Sequence, residues 1–345
     1  LLDMAGISDG ILPGHMILIE DGTIELEVIE REGVILKTKP KNEGLLKTRK
    51  GVILPDSELT LDILSDKDRA DLRFAVEHEV DYIGLSFVGS AEDIATVRAE
   101  MQSYVTPGTR LPKIISKIER KAALANLTSI IQATDAVMVA RGDLGIEMPT
   151  SEVVLLQKRI IHESLASAKP VIVATQMMKS MTENPHPTRA EVSDVSNAVI
   201  DHTDAVMLSE ESAMGKYPVE TVAMMAEIIE KTEESPFDDL YKALHLNFRN
   251  EYSMLIRSAY EMAKSFHAKA IVVMTESGLS ARLLSHFRPE RTLLIATSDR
   301  RTWQELALVW GVTPYLYEGI TGIEAQKKQL LEDAKANGSL TPGDK

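Results

Sequence analysis

The feature that most constrains this chain is a repeat of short apolar runs set between long amphipathic stretches. From about residue 57 the runs are Tyr82-Ile83-Gly84-Leu85-Ser86-Phe87, Lys113-Ile114-Ile115-Ser116-Lys117-Ile118, Ala136-Val137-Met138-Val139-Ala140-Arg141, Val171-Ile172-Val173-Ala174-Thr175 and Ala205-Val206-Met207-Leu208-Ser209. Each is short, apolar and mostly β-branched, as a strand buried on both faces should be. Between them lie helical patterns such as Glu152 to Ala168 and Pro218 to Thr232. The run ends at 86, 117, 141, 175 and 209 are 31, 24, 34 and 34 residues apart, and a (β/α)8 barrel allots roughly 31 residues per unit. The spacing predicts α/β units of a parallel TIM barrel. A doubly wound open sheet fits the same intervals and stands as the structural alternative.

The flanks read differently. Ile17-Leu18-Ile19-Glu20 and Thr23-Ile24-Glu25-Leu26-Glu27-Val28 alternate on either side of Asp21-Gly22, a dipeptide suited to a tight hairpin turn. Val34 to Thr38 continues the pattern, and Lys47-Thr48-Arg49-Lys50 leads out as a basic loop. After Ser235-Pro236 a separate α/β segment begins, with a helix from about Tyr252 to Ala268 and strands Ala270–Met274 and Thr292–Thr297. The expected domains are therefore 1–50, the distal part of an inserted β domain; 51–235, barrel units four to eight; and 236–345, a C-terminal α/β domain. Five units are visible where a barrel has eight, so three strands are expected ahead of Leu1. The turn-like ending Thr341-Pro342-Gly343-Asp344-Lys345, with no strand after it, reads as premature.

Composition removes several classes. The 345 residues include no Cys, which excludes a disulfide scaffold, a Cys-ligated zinc or iron–sulfur site and a cysteine nucleophile, and fits a reducing cytosol. Thirty-eight Lys and Arg against 52 Asp and Glu leave a net charge of −14, which argues against nucleic acid or an anionic membrane as partner. It leaves room for small anions held by a local cluster of Lys, Mg²⁺ and backbone N–H groups. No apolar run is long enough to span a bilayer. The start, Leu1-Leu2-Asp3-Met4-Ala5, has neither an initiator Met nor a basic-then-apolar signal pattern, so the chain is expected to begin within a protein.

Polar residues crowd the C-terminal ends of the five runs: Ser86, Lys117 with Glu119, Arg141-Gly142-Asp143, Thr175, and Ser209 with Glu211. In a barrel that rim is the active-site face. Lys117 and Glu119, two residues apart, share one side of an extended strand and could equally be a structural ion pair. Gly142-Asp143 alone could be an ordinary turn. Two carboxylates at adjacent strand ends, without His or Cys nearby, suit a hard cation such as Mg²⁺, and the eight His show no zinc spacing.

In combination these stretches are specific. Ile115-Ser-Lys-Ile-Glu119, Met138-Val-Ala-Arg-Gly-Asp-Leu-Gly-Ile-Glu147, Ala174-Thr-Gln-Met-Met178, Pro187-Thr-Arg-Ala-Glu191 and Leu208-Ser-Glu-Glu-Ser-Ala213 follow one another in this order. Together they resemble pyruvate kinase through nearly the whole chain. The resemblance implies a cytoplasmic glycolytic phosphotransferase of homotetrameric assembly, which makes pyruvate and ATP from phosphoenolpyruvate and ADP with Mg²⁺ (or Mn²⁺) and K⁺. It implies that Lys117 stands beside the transferred phosphoryl group and that Glu119 and Asp143 hold the divalent cation. Backbone N–H groups near Gly142 and Asp143 would receive the substrate carboxylate, Thr175 would lie near the enolate carbon, and Arg141 would belong with the catalytic groups. Ser86 and Phe87 would lie near the monovalent cation and nucleotide. The family's phosphoryl-clamping arginine and its Asn/Ser/Asp set for K⁺ are expected ahead of Leu1, and residues 1–345 alone are expected to turn over poorly without them. Glu210 stands where many members have Gly.

In the C-terminal segment, Thr275-Glu276-Ser277-Gly278-Leu279-Ser280 between a strand and a helix has the look of a phosphate nest. The resemblance implies a sugar-phosphate or nucleotide effector there, through Thr275, Ser277, Gly278 and Ser280; a plain helix cap by Ser277 or Ser280 is the simpler reading. Met177-Met178 and Met224-Met225 read as core filler, and Glu230 to Glu234 as a solvated helix end. Two other functions fit the rim residues: a Mg²⁺-dependent lyase or aldolase working through a pyruvate enolate on a related barrel, and a homologue that binds ligands without turnover.

Overall fold

Alternating apolar residues around Gly22 close the first sheet. In a computed structural model, which describes residues 10–20, 22–46, 51–56, 63–235, 237 and 251–345, strands β1 (Met16–Ile19), β2 (Ile24–Glu32), β3 (Ile35–Pro40) and β4 (Val52–Ile53) form an antiparallel sheet in the order β3-β2-β1-β4. Ile11, Ile17, Ile19, Ile24 and Val28 make its small core. Because Val52 and Ile53 pair with Ile19 and Leu18, this sheet extends past the boundary expected at residue 50. The basic loop Lys47–Lys50 and most of the stretch following Ser235 lie outside the described residues.

Five of the apolar runs form β5 (Tyr82–Leu85), β6 (Lys113–Ile118), β7 (Ala136–Ala140), β8 (Val171–Ala174) and β9 (Ala205–Met207). They lie parallel in the consecutive order β5-β6-β7-β8-β9. A doubly wound sheet reverses its strand order at a switch point; this one runs straight through, as a barrel wall does. Every residue of β7 and β8 is buried, which explains why these strands carry no polar side chain. The large core lies between strands and helices: Ile114, Ile118, Val137, Val139, Val171 and Val173 face Ile94, Val97, Ile130 and Ile160. Ile115, Met138, Ile172, Ala174 and Met207 form a second, smaller cluster on the other face. Three helices start where their sequences say they should. Ser65, Ser90 and Thr188 each close a capping box with Asp68, Asp93 and Glu191.

In the C-terminal part, β10 (Ala270–Met274), β11 (Thr292–Thr297) and β12 (Val312–Leu316) make a parallel sheet, order β10-β11-β12. The sequence reading had β10 and β11 but neither β12 nor the helix Ile323–Ala336. Pro314 breaks the strand pattern of β12: proline cannot donate to a ladder and is tolerated at a sheet edge, where β12 lies among the described residues.

This part docks on the N-terminal ends of the barrel strands. Tyr82 O–H donates to the Glu305 carbonyl at 3.1 Å, Lys113 pairs with the Glu305 carboxylate, and Arg110 pairs with Asp299 at 2.7 Å. Arg288 pairs with Asp204 at 3.2 Å and lies over the Trp310 ring, 4.9 Å from its centre. The opposite, C-terminal ends of the strands are thereby left for the residues singled out above.

Candidate active site

At those ends four of the five sequence-predicted strands overrun the real ones by one or two residues, and polar residues are among the surplus. Ser86, Phe87, Arg141, Thr175 and Ser209 all lie just past the last ladder position. Phe87 and Thr175 have left-handed backbones, with φ of 57° and 67°, and Gln176 follows at 56°. Left-handed conformations are rare outside glycine and turn the chain sharply out of a strand.

Lys117 lies two residues after Ile115 on β6, and so on the same face of the sheet. Its Nζ donates to Ser86 Oγ at 2.8 Å and pairs with Glu119 Oε1 at 2.6 Å. Glu119 is 2% exposed, and its Oε2 accepts the Phe87 N–H at 2.8 Å. Burial pushes the Glu119 carboxyl above its usual range; the hydrogen bond to Lys117, the Phe87 N–H and the Lys117 charge oppose the shift, while nearby Asp143 adds to it. Oε1 is the oxygen paired with Lys117. A buried carboxylate paired with one lysine, with a second carboxylate close by, fits a hard divalent cation. Among the described residues no three His, Asp or Glu side chains gather closely enough to hold a metal by themselves. Two carboxylates are what Mg²⁺ takes when substrate oxygens and water complete its shell.

Gly142, Thr175 and Arg141 come together at the ends of β7 and β8. The Gly142 N–H, expected to receive a substrate carboxylate, donates to Thr175 Oγ1 at 2.9 Å, and that hydroxyl donates to the Ala174 carbonyl at 2.6 Å. Arg141, expected among the catalytic groups, is 8% exposed, with its guanidinium bonded to protein: to the Thr175 carbonyl at 2.8 Å and to Asp194 at 2.8 Å. Ser209 and Glu211 meet on the same rim. Glu211, 2% exposed, accepts the Ser209 N–H at 2.8 Å and the Met178 N–H at 3.2 Å, tying the loops after β8 and β9 together. A Cβ on Gly215 would stand 2.4 Å from the Glu211 carbonyl oxygen, so this packing requires glycine. Glu210 is exposed.

The loop Thr275–Ser280 is folded in on itself. Thr275 Oγ1 accepts the Gly278 N–H at 3.0 Å, and Ser280 Oγ is bonded to Tyr252. Gly278, at φ 72°, caps the helix Leu279–Ser285 with no side-chain cap bond, so neither Ser277 nor Ser280 is the cap.

Asp194 and Phe87 N–H were not picked out from sequence for these contacts. Asp194 could have been found through Thr188-Arg-Ala-Glu191, a capping-box pattern that starts the helix Arg189–Ile200 and brings Asp194 round one turn later. Nothing in the sequence signals the Phe87 donor, because it depends on a left-handed backbone.

The family model described as pyruvate kinase, barrel domain, matches residues 1–222, and that of the pyruvate kinase alpha/beta domain matches residues 253–345. The chain belongs to the pyruvate kinase family. It is 41% identical to the pyruvate kinase of Agaricus bisporus over 343 residues, 98% of this chain and 64% of that one. It is 42% identical to the pyruvate kinase of Schizosaccharomyces pombe over 323 residues, 92% of this chain and 63% of that one. A crystal structure of a pyruvate kinase from Cryptosporidium parvum superposes with a TM-score of 0.92 at 34% identity, covering 98% of this chain and 70% of the other. The chain thus spans a little under two thirds of the length of those two curated relatives. Membership of the pyruvate kinase family accounts for the small β sheet ahead of a parallel wall and for the second parallel sheet docked beneath it. No helix among the described residues is long and apolar enough to cross a membrane.

Proposed function

We propose that this protein transfers the phosphoryl group of phosphoenolpyruvate to ADP. A β-phosphate oxygen of ADP attacks phosphorus, the bond from phosphorus to the enol oxygen breaks, and the enolate of pyruvate is protonated at carbon. The observation that carries the reading is the Lys117–Glu119 pair, with Asp143 nearby, at the C-terminal rim of a parallel wall. Such transfers depend on positioning and on neutralising the equatorial phosphoryl oxygens rather than on covalent help. Lys117, held by Ser86 and Glu119, offers a fixed ammonium for those oxygens. Glu119 and Asp143 would hold Mg²⁺ or Mn²⁺, which when bound supplies positive charge to substrate oxygens. Thr175 Oγ1, held between Gly142 N–H and the Ala174 carbonyl, would lie by the enolate carbon and order the proton-donating water. K⁺ near Ser86, a cytoplasmic setting and a homotetramer complete the proposal; exposed Val154 and Leu155 on one barrel helix and Val219 and Val222 on another offer apolar surface for assembly.

The test joins turnover to metal binding. ATP formation from phosphoenolpyruvate and ADP is followed in a coupled assay, and Mn²⁺ binding by electron paramagnetic resonance. Asp143→Ala should abolish both. Mn²⁺ bound as tightly by the variant would overturn the ligand assignment. Binding of Mn²⁺ and phosphoenolpyruvate without ATP formation would make the protein a ligand-binding homologue.

A further inference from the structure

We infer that Arg141 is a positioning residue that acts through Thr175: it grips the Thr175 carbonyl, and so holds the backbone turn that aims the Thr175 hydroxyl into the site. The inference deepens the proposed function, since it rests on Thr175 standing near the enolate carbon.

Thr175 and Gln176 adopt φ of 67° and 56° in succession. For a β-branched threonine this is a true outlier, which persists only where the surroundings over-determine it. Arg141 supplies the restraint. Its Nη2 and Nε both donate to the Thr175 carbonyl, at 2.8 and 3.3 Å. The remaining donors anchor the fork itself: Nη1 to Asp194 at 2.8 Å and Gln157 at 3.3 Å, Nη2 also to Met177 Sδ at 2.9 Å. A guanidinium has five N–H donors, and these bonds engage all of them. Asp194 balances the charge. With Arg141 8% exposed, Gln157 2% and Met177 0%, no donor is left for a substrate phosphate. From the other side, Gly142 N–H, on the residue next to Arg141, fixes Thr175 Oγ1. One residue pair at the end of β7 therefore clamps both the carbonyl and the hydroxyl of Thr175 at the end of β8. Lysine has no planar fork and cannot reproduce the grip.

The experiment compares Arg141→Lys, Arg141→Met, Thr175→Ala and the double variant Arg141→Lys/Thr175→Ala with the unaltered protein. It reads exchange of pyruvate methyl hydrogens with D₂O by NMR, pyruvate affinity, and the backbone at 175–176 in a crystal structure of Arg141→Lys. Arg141→Lys should slow exchange about 100-fold, as a misplaced group near reacting atoms does, with affinity changed less than about threefold. The double variant should be no slower than Thr175→Ala alone, because both act through one hydroxyl. In the crystal, residues 175–176 should leave the left-handed region. Multiplying losses in the double variant, weakened affinity with normal exchange, or an unmoved backbone would each overturn the inference. Should Arg141→Met fail to fold, Arg141→Lys decides. An unaltered protein lacking exchange and ATP formation would sink the proposed function alone, and the variant's backbone would then decide the role of Arg141.

Discussion

At the residue scale the site combines a buried carboxylate, a lysine and a strained threonine. Lys117 stands 2.6 Å from Glu119 and 2.8 Å from Ser86, so its position is set before any ligand arrives. A cation held in place serves best the state in which phosphoryl charge is greatest, which is the transition state rather than the bound substrate. Lys117→Met should therefore lower kcat by about 10³-fold while KM for phosphoenolpyruvate changes less than about fivefold. Steady-state kinetics checks this, and a normal kcat with a large rise in KM would make Lys117 a substrate anchor. Glu119 was legible in sequence as half of an ion pair or half of a metal site. Its 2% exposure and the nearness of Asp143 favour the second reading, because two carboxylates close together repel unless more positive charge than one lysine lies between them.

At the element scale, local sequence set where helices begin but not where strands stop. Thr188 and Glu191 announce the helix Arg189–Ile200, and Glu191 also accepts the Ser180 N–H at 2.7 Å, fastening that helix to the turn after β8. Thr188→Ala should cost about 1 kcal/mol, with Thr188→Ser restoring most of it. Chemical denaturation measures the loss; no change would show that the Ser180 contacts hold the helix end unaided. Strand ends were misjudged at β5, β7, β8 and β9 for one reason. Ser86, Arg141, Thr175 and Ser209 continue a plausible run in sequence, but their hydrogen bonds run outside the ladder, to residues 31 to 34 positions away for Ser86, Arg141 and Thr175 and to nearby Glu211 for Ser209.

At the scale of the whole molecule, the C-terminal part is joined to the barrel through buried ionisable groups. Burial, then the charge of Arg288, depresses His286 to about 3 and His202 to about 4. His286 shares a small cavity of the joint with Lys169, Asp204, Arg282 and Arg288. Below pH 6.5 the unfolded chain binds protons that these imidazoles refuse in the native state, so stability falls as pH falls. The slope is about 1.4 kcal/mol per pH unit for each histidine, down to its native value. His286→Leu should flatten the fall in thermal midpoint between pH 6.5 and 4. Calorimetry across that range reads it, and an unchanged slope would mean that His286 takes up a proton without opening the joint.

The sequence by itself determined the parallel α/β class, the hairpin ahead of it, the rim on which the polar residues gather and the family, because each depends on local pattern or on ordered motifs. Tertiary structure alone decided that the strand order runs consecutively, which removed the doubly wound alternative. It also decided that Pro314 sits in an edge strand and that Gly142 N–H serves Thr175 rather than standing free. The same holds for Arg141, whose guanidinium meets Thr175, 34 residues on, and Asp194, 53 residues on. Pairings over such separations leave no periodic trace in a single sequence; they exist only once β7, β8 and the helix after them are packed side by side.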